Sequence, residues 1–303
     1  MNYLISTNPE KTAYEKIVNE QRRLMNKLRQ SRVIVSLGSE DSYLSCFKRI
    51  KEFLNDKKLG SLRKLNKNKA ISFLKKYRYI FKQPTLKKYR QALQHILRYY
   101  GRLGFEEMLP VIKSRVPHQE KSRAYSKEEM LSVCEQMTER NALAVKICYY
   151  AGLRAHELLE IRREGERTPH NRPALETKFM GIDGKCYIVT GKGGLIRRVF
   201  LPKDLASELE KYRLAKPKKV KDRKIIYYSH YEIGAGKKLS SAFSAASKRA
   251  HGWSRGLHGL RHSYAQNRVQ MLSALIGDID LVKETVSQEL GHFRKEITET
   301  YLR

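Results

Sequence analysis

Acidic residues are scarce in this 303-residue chain: 31 Asp and Glu stand against 62 Lys and Arg, a formal charge of +31. A surface tuned only for solubility mixes its signs, so an excess of this size predicts a polyanionic partner. Cysteine is equally sparse. Cys46, Cys134, Cys148 and Cys186 form no C-x-x-C pair and stand at no zinc-site spacing from a His, which fits a reducing compartment. No run approaches the roughly 18 apolar residues of a membrane span. The opening Met1-Asn2-Tyr3-Leu4-Ile5 lacks the basic-then-apolar pattern of an export signal, so a soluble protein that is not exported is expected. With only 8 Pro and 18 Gly beside 41% hydrophobic residues, wholesale disorder is excluded, and the length favours two packed domains. Nucleotide and metal signatures are missing too. Gly234-Ala235-Gly236-Lys237-Lys238 lacks the spacing and the Ser/Thr of a phosphate-binding loop, and His156-Glu157 has no second His at the right offset.

What is present is unevenly placed. Residues 1–118 carry 27 Lys and Arg against 9 Asp and Glu, and the remaining 185 residues carry 35 against 22. From Lys57 to Phe105 there are fifteen basic residues and no acidic one, interleaved with Leu, Ile, Phe and Tyr at helical spacing. Such a stretch reads as a folded basic surface. Its clearest element runs from Thr85 to Tyr100, where Leu86, Tyr89, Leu93, Ile96, Leu97 and Tyr100 share one face after a Pro84-Thr85 start. Lys87, Lys88, Arg90, Gln94 and Arg98 are expected to project from the other face, where they would neutralise the phosphates of a duplex. Shorter amphipathic helices are expected at 42–54 and 65–79, and an earlier one at about 12–30. These elements predict an N-terminal extension over 1–35 and a helical DNA-binding domain over 36–109. Pro110 and Pro117, with polar residues between them, mark a linker over 110–124. Ser126-Lys127-Glu128-Glu129 then matches a capping box and opens a second domain, 125–303.

In that domain a strongly apolar helix over 142–150 stops at Gly152. Leu153, Leu158 and Ile161 continue at helical spacing, which puts Arg154 and Glu157 on one face; alone, that pair reads as a surface ion pair, which is common and weak. Cys186-Tyr187-Ile188-Val189-Thr190 and the run from Leu195 to Leu201 are β-rich, and Gly191-Lys192-Gly193-Gly194 between them is a hairpin turn. Its lysine is either solvated or delivered into a neighbouring groove. Leu257-His258-Gly259-Leu260-Arg261-His262 opens another helix, and a helix start presenting His and Arg suits an anion. Leu290-Gly291-His292 ends a helix, and a last short one over 295–302 carries Tyr301, which alone would read as a packing residue.

In this order the pieces resemble the tyrosine recombinase (phage integrase) superfamily. The matching text is Ala151-Gly152-Leu153-Arg154 with Glu157, Gly191-Lys192-Gly193-Gly194, His258-Gly259-Leu260-Arg261-His262, Leu290-Gly291-His292 and Tyr301, spread over about residues 120–303. The basic N-terminal helices resemble the family's core-binding domain in layout alone. The resemblance implies a mainly α fold with a small β-hairpin or sheet in the C-terminal domain, the two domains forming a C-shaped clamp on double-stranded DNA. It further implies a homotetramer working on two DNA sites, open to DNA-bending accessory proteins. It implies no metal, ATP or other cofactor, no membrane, and a cytoplasmic, nucleoid-associated location.

By the same resemblance Arg154 and Arg261 neutralise the non-bridging oxygens of the scissile phosphate, a task suited to a permanently charged planar donor. Tyr301 is the nucleophile that forms a 3′-phosphotyrosyl link, and His258 the base that helps it ionise. Lys192 protonates the departing 5′-oxygen, His292 donates to the phosphate, and Glu157 orients its neighbours.

The chain departs from the family between Arg162 and Lys185, which is longer and more charged than the usual connection, and around Met271 to Asp280, an apparent insertion. It also runs only two residues past Tyr301, where many members carry a further segment that docks on a neighbouring subunit. The irregular linker and insertions favour the integrase or excisionase of a mobile element over a chromosome- or plasmid-resolving recombinase. A type IB topoisomerase-like enzyme is a second reading. A catalytically idle DNA-binding relative would have lost one of Arg154, Lys192, Arg261 or Tyr301, and all are present. An RNA-binding protein accounts for the charge but not for the ordered motifs.

Overall fold

Apolar spacing and turn residues set the first four helices. In the computed structural model, which describes residues 9–31, 37–117, 122–292 and 296–302, these are α1 (Pro9–Gln30), α2 (Leu37–Asp56), α3 (Lys67–Tyr77) and α4 (Gln83–Tyr99). The chain divides into two units, Met1–Gln119 and Glu120–Arg303. Of the extension expected over 1–35, residues 1–8 and 32–35 lie outside the described residues, and the rest is α1 with one turn residue. Leu24, Met25 and Leu28 of α1 share one core with Phe47, Ile50, Phe73, Leu86, Leu93 and Ile96. The side chain of Asn66 caps α3 by accepting from the Lys69 amide at 2.9 Å, and Pro84 occupies the first turn of α4, where its missing N–H costs nothing.

The outer face of α4 differs from the sequence expectation. Gln94, expected to project, is buried and accepts from the Leu109 amide at 3.1 Å. Arg90 donates to the Leu109 carbonyl at 2.7 Å, and Arg98 to the Glu107 carbonyl at 2.9 Å. Further along, in the expected linker, Gln83 binds both Ile112 and Ser114. The chain after α4 therefore folds back across the helix and occupies part of the face that periodicity leaves open. Lys87 is exposed and Lys88 half-buried.

The second unit opens with the capping box, whose Ser126 and Glu129 each satisfy the other's backbone amide at the start of α5 (Lys127–Glu135). Next comes α6 (Glu139–Ala151), the apolar centre of the main core, which ends at Gly152. Residues 153–161, expected to be helical, form a turn and a short 3-10 segment, Glu157–Glu160, because the Glu157 carboxylate takes the Arg154 amide and closes the chain more tightly than an α-turn. Strands β1 (Arg162–Arg163), β2 (Gly184–Thr190) and β3 (Ile196–Pro202) form an antiparallel sheet in chain order, with Thr190 opposite Ile196 beside the expected turn. After α7 (Lys203–Glu210) comes a hairpin that the sequence reading missed, β4 (Arg213–Asp222) with β5 (Ile225–Tyr231). The chain continues as α8 (Gly236–His251), α9 (Gly259–Ser273), α10 (Ile279–Glu289) and α11 (Glu296–Glu299). The rejected phosphate-loop sequence starts α8, where Asp222 caps the Lys237 amide at 2.9 Å.

Among the described residues the fold is thus mainly α with two small antiparallel sheets, both in the second unit. A smaller apolar cluster joins Tyr264, Leu272, Val282, Val286 and Leu290 to Tyr301. All four cysteines are free. Cys46 lies in the core of the first unit, and Cys134 and Cys148 in that of the second. Burial pushes the Cys46 and Cys134 thiols up to about 11 and that of Cys148 higher still. Among the described residues no helix is long and apolar enough to cross a membrane.

Candidate active site

Gly152 ends α6 in the left-handed conformation, φ +61°. A Cβ there would lie 2.6 Å from Tyr264 Cδ1, so only glycine lets α6 and α9 come this close. Its carbonyl accepts from Arg261 Nη1. Two residues on, the Arg154 amide donates to Glu157 Oε2 at 2.7 Å and its Nη1 to Oε1 at 3.1 Å. With Glu157 0% and Arg154 17% exposed, this is a buried junction and not a surface pair. Burial opposes the charge on Glu157, but Arg197, Arg261 and Arg154 outweigh it and hold the carboxyl down at about 2.

Arg261, in the first turn of α9, is fully buried. Its Nη2 donates to the Leu290 carbonyl at the end of α10, and its Nε to the Tyr301 hydroxyl at 3.3 Å. Burial pushes its pKa down to about 10, with Glu157 opposing, so the guanidinium is cationic at neutral pH. Gly291, at φ +74°, turns the chain so that His292 faces the arginines. His292 Nε2 lies 3.0 Å from Arg154 Nη2, 3.3 Å from Arg261 Nη2 and 3.4 Å from the Tyr301 oxygen. A guanidinium only donates, so Nε2 accepts here and the ring proton sits on Nδ1. Burial, then the charges of Arg261, Arg154 and Arg197, push this imidazole down to about 4.

Tyr301 follows α11 and is 6% exposed. Its ring packs edge-on against His262 at 4.9 Å between centroids and lies 5.9 Å from that of His258, while its carbonyl accepts from Gln266 at 3.0 Å. Desolvation and the neighbouring cations hold both His258 and His262 at about 4, so both are neutral at pH 7. The structure therefore gathers Arg154, Glu157, His258, Arg261, His292 and Tyr301 into one cluster. Lys192 sits in the turn joining β2 to β3; it is exposed and makes no hydrogen bond or ion pair among the described residues. Among those residues no group of three or more His, Cys, Asp or Glu side chains is placed to hold a metal ion.

No protein-family profile matches the sequence, and neither does any curated protein. Solved structures do match. The XerH site-specific recombinase, in a post-cleavage complex with its palindromic difH substrate, superposes with a TM-score of 0.57 at 17% identity, covering 100% of this chain and 87% of that one. A lambda integrase tetramer bound to a Holliday junction gives 0.61 at 17% identity over 94% of this chain and 76% of that one. The Tn1549 transposon integrase with transposon right-end DNA gives 0.54 at 12% identity, covering 93% and 94%. The chain has the tyrosine recombinase fold.

Within this tyrosine recombinase fold, two buried residues escaped the sequence reading. Arg197 on β3, 5% exposed, bridges Glu157 Oε2 at 3.1 Å and the Glu289 carbonyl at 2.9 Å, so it fixes the carboxylate that fixes Arg154. Its signal was present: Arg197 alternates with the buried Val199 and Leu201 and so belongs to the inward face of the strand. Glu289, fully buried, holds Arg268 through both carboxylate oxygens at 2.9 and 2.6 Å and accepts from the Tyr264 hydroxyl at 2.9 Å. Its other partner, the Phe179 amide at 2.9 Å, ties the long charged insertion to α10 just before the His292 turn.

Proposed function

We propose that the protein is a site-specific DNA recombinase that cleaves and rejoins duplex DNA through a 3′-phosphotyrosyl intermediate. The observation that carries this reading is the convergence of two guanidiniums and the Tyr301 hydroxyl on His292 Nε2 within 3.0–3.4 Å. Three groups aimed at one imidazole nitrogen, two of them cationic, make a receptor for a phosphate, which accepts charge-assisted hydrogen bonds better than an imidazole does. A scissile phosphate entering there draws Arg154 and Arg261 onto its non-bridging oxygens, and His292, relieved of them, takes up a proton from solvent on Nε2 and donates it in a hydrogen bond to the phosphate. Tyr301 attacks phosphorus: the O–P bond to the phenol forms as the P–O5′ bond breaks. Neutral His258 receives the phenolic proton, and Lys192, carried in on its hairpin, gives one to the departing 5′-oxygen. Attack by the 5′-hydroxyl of a second strand reverses the steps, so no external energy source enters.

The reading extends to a homotetramer on two DNA sites, supported by likeness to an integrase solved as a tetramer on a Holliday junction. It extends also to mobile-element integration, supported by likeness to a transposon integrase and by the inserted 162–185 stretch. Lys87 and Lys88, with the remaining donors of Arg90 and Arg98, are assigned to DNA positioning, residues 36–109 to a core-binding domain and 125–303 to the catalytic domain. The deciding experiment incubates wild type and Tyr301→Phe with nicked candidate-site DNA in EDTA and looks for a covalent adduct on a denaturing gel. An adduct in wild type alone is expected. Tight binding without an adduct, with accessory proteins supplied, points to an idle relative, and sequence-independent plasmid relaxation to a topoisomerase.

A further inference from the structure

The charge in the second unit is not confined to the cluster around Tyr301. Residues 211–224 contain eight Lys and Arg and one acid, Asp222, and they run from the end of α7 through β4 into the turn that leads to β5. The register sets Lys219 opposite Tyr228 and Lys221 opposite Ile226, so these four side chains share one face. That face is open: Tyr228 is 54% and Ile226 50% exposed, both lysines are exposed, and neither lysine makes a hydrogen bond or ion pair among the described residues. The opposite face is largely covered: Ser229 and Asp222 are buried, Asp222 capping α8, Val220 and Tyr227 are half-buried, and the exposed Lys218 pairs with Glu232 at 3.8 Å, which leaves Ile225 open. The hairpin therefore has a packed side and a bare side, and the bare side carries two uncompensated cations, an aromatic ring and an aliphatic chain with no carboxylate.

Its position gives that surface a use. Asp222, at the turn, fixes the Lys237 amide, and the Gly236 amide beside it donates to the Ala155 carbonyl at 2.8 Å, one residue from Arg154. The hairpin turn is thus fastened to the segment that aims the Arg154 guanidinium. Lys221 and Lys219 stand one and three residues from Asp222 along the strand and about 7 Å from each other, a separation that spans two nucleotide rises of one DNA strand.

We infer that the outward face of the β4–β5 hairpin is a second duplex-contact surface, which grips DNA flanking the scissile phosphate through Lys219 and Lys221 while Ile226 and Tyr228 pack on sugar or groove wall. This rests on the DNA-recombinase reading for its partner but not on the chemistry of Tyr301. A two-stranded ribbon fits a DNA groove, and apolar side chains interleaved with cations suit such contact.

The test compares full-length wild type, Lys219→Gln/Lys221→Gln and Tyr228→Ala in binding to candidate-site duplex across a salt series, with thermal melting as a check on folding. Loss of two phosphate contacts lowers the slope of log K against log salt by about 2. Tyr228→Ala is expected to weaken binding with the slope unchanged. Adduct yield per bound complex is expected to stay at the wild-type level in both variants. An unchanged slope in the double variant overturns the inference, and so does duplex RNA that competes as well as the DNA. If the slope falls while wild type forms no adduct, the hairpin surface stands and the recombinase reading fails. If adducts form and the slope does not move, the hairpin inference fails alone.

Discussion

At the scale of single residues, the site is organised by one buried carboxylate. Glu157 has Arg154 and Arg197 as ion-pair partners and Arg261 nearby, so removing it leaves buried cations uncompensated. Glu157→Ala is expected to cost about 3–5 kcal/mol in urea unfolding, well above the loss for an exposed pair. The pH dependence has a definite sign. Glu157 titrates near 4.5 when unfolded and near 2 when folded, so its contribution of about 3 kcal/mol is complete above pH 4.5 and lost as pH falls towards 2. His258, His262 and His292 act earlier. The unfolded chain protonates them below about 6.5 and the fold resists until about 4, so stability declines across that interval. Urea melts at pH 7, 5 and 3 should resolve both phases, and a flat profile would contradict the buried electrostatics described. The six clustered residues, Arg154, Glu157, His258, Arg261, His292 and Tyr301, were legible together, as was the exposed Lys192, because the order of their motifs along the chain carries the resemblance. Arg197 was not, because its place in the alternation with Val199 and Leu201 marks an inward position while its charge reads as outward, and nothing in the sequence names the buried carboxylate that pairs with it.

At the scale of elements, helices announced themselves by period and caps, and failures came where another structure shares the same spacing. A 3-10 turn brings i and i+3 together as a helix does, which is why 153–161 read as helical. Periodicity also gives the direction of a side chain but not what later covers it, hence Gln94 under Leu109. The β4–β5 hairpin was hidden by its lysines, although Ile225-Ile226-Tyr227-Tyr228 after the Asp222-Arg223-Lys224 turn was a fair strand signal. Elements close to the site are sensitive at their ends. Gly152→Ala places a methyl 2.6 Å from Tyr264 at a positive φ, so it should both destabilise the fold and reduce adduct yield by moving the carbonyl that holds Arg261. Ser126→Ala, at a distant cap, should cost about 1 kcal/mol in thermal or urea melts without changing adduct yield.

At the scale of the whole molecule, the two units have separate apolar cores, one built on α1–α4 and one on α6 with the β2–β3 sheet and α8. Fragments 1–119 and 120–303 should therefore each show a cooperative melt by circular dichroism, and a fragment without one would mean that its core depends on the other unit. The same partition of cores also distributes the thiols: Cys46 belongs to one, Cys134 and Cys148 to the other. A buried thiol held above its ordinary range is inert to alkylating reagents until the surrounding core opens. The native sequence thus carries its own clock for each unit. Pulse labelling followed by peptide mass analysis would time the opening of the two cores independently in one unmodified protein, and DNA binding should slow whichever core the duplex braces.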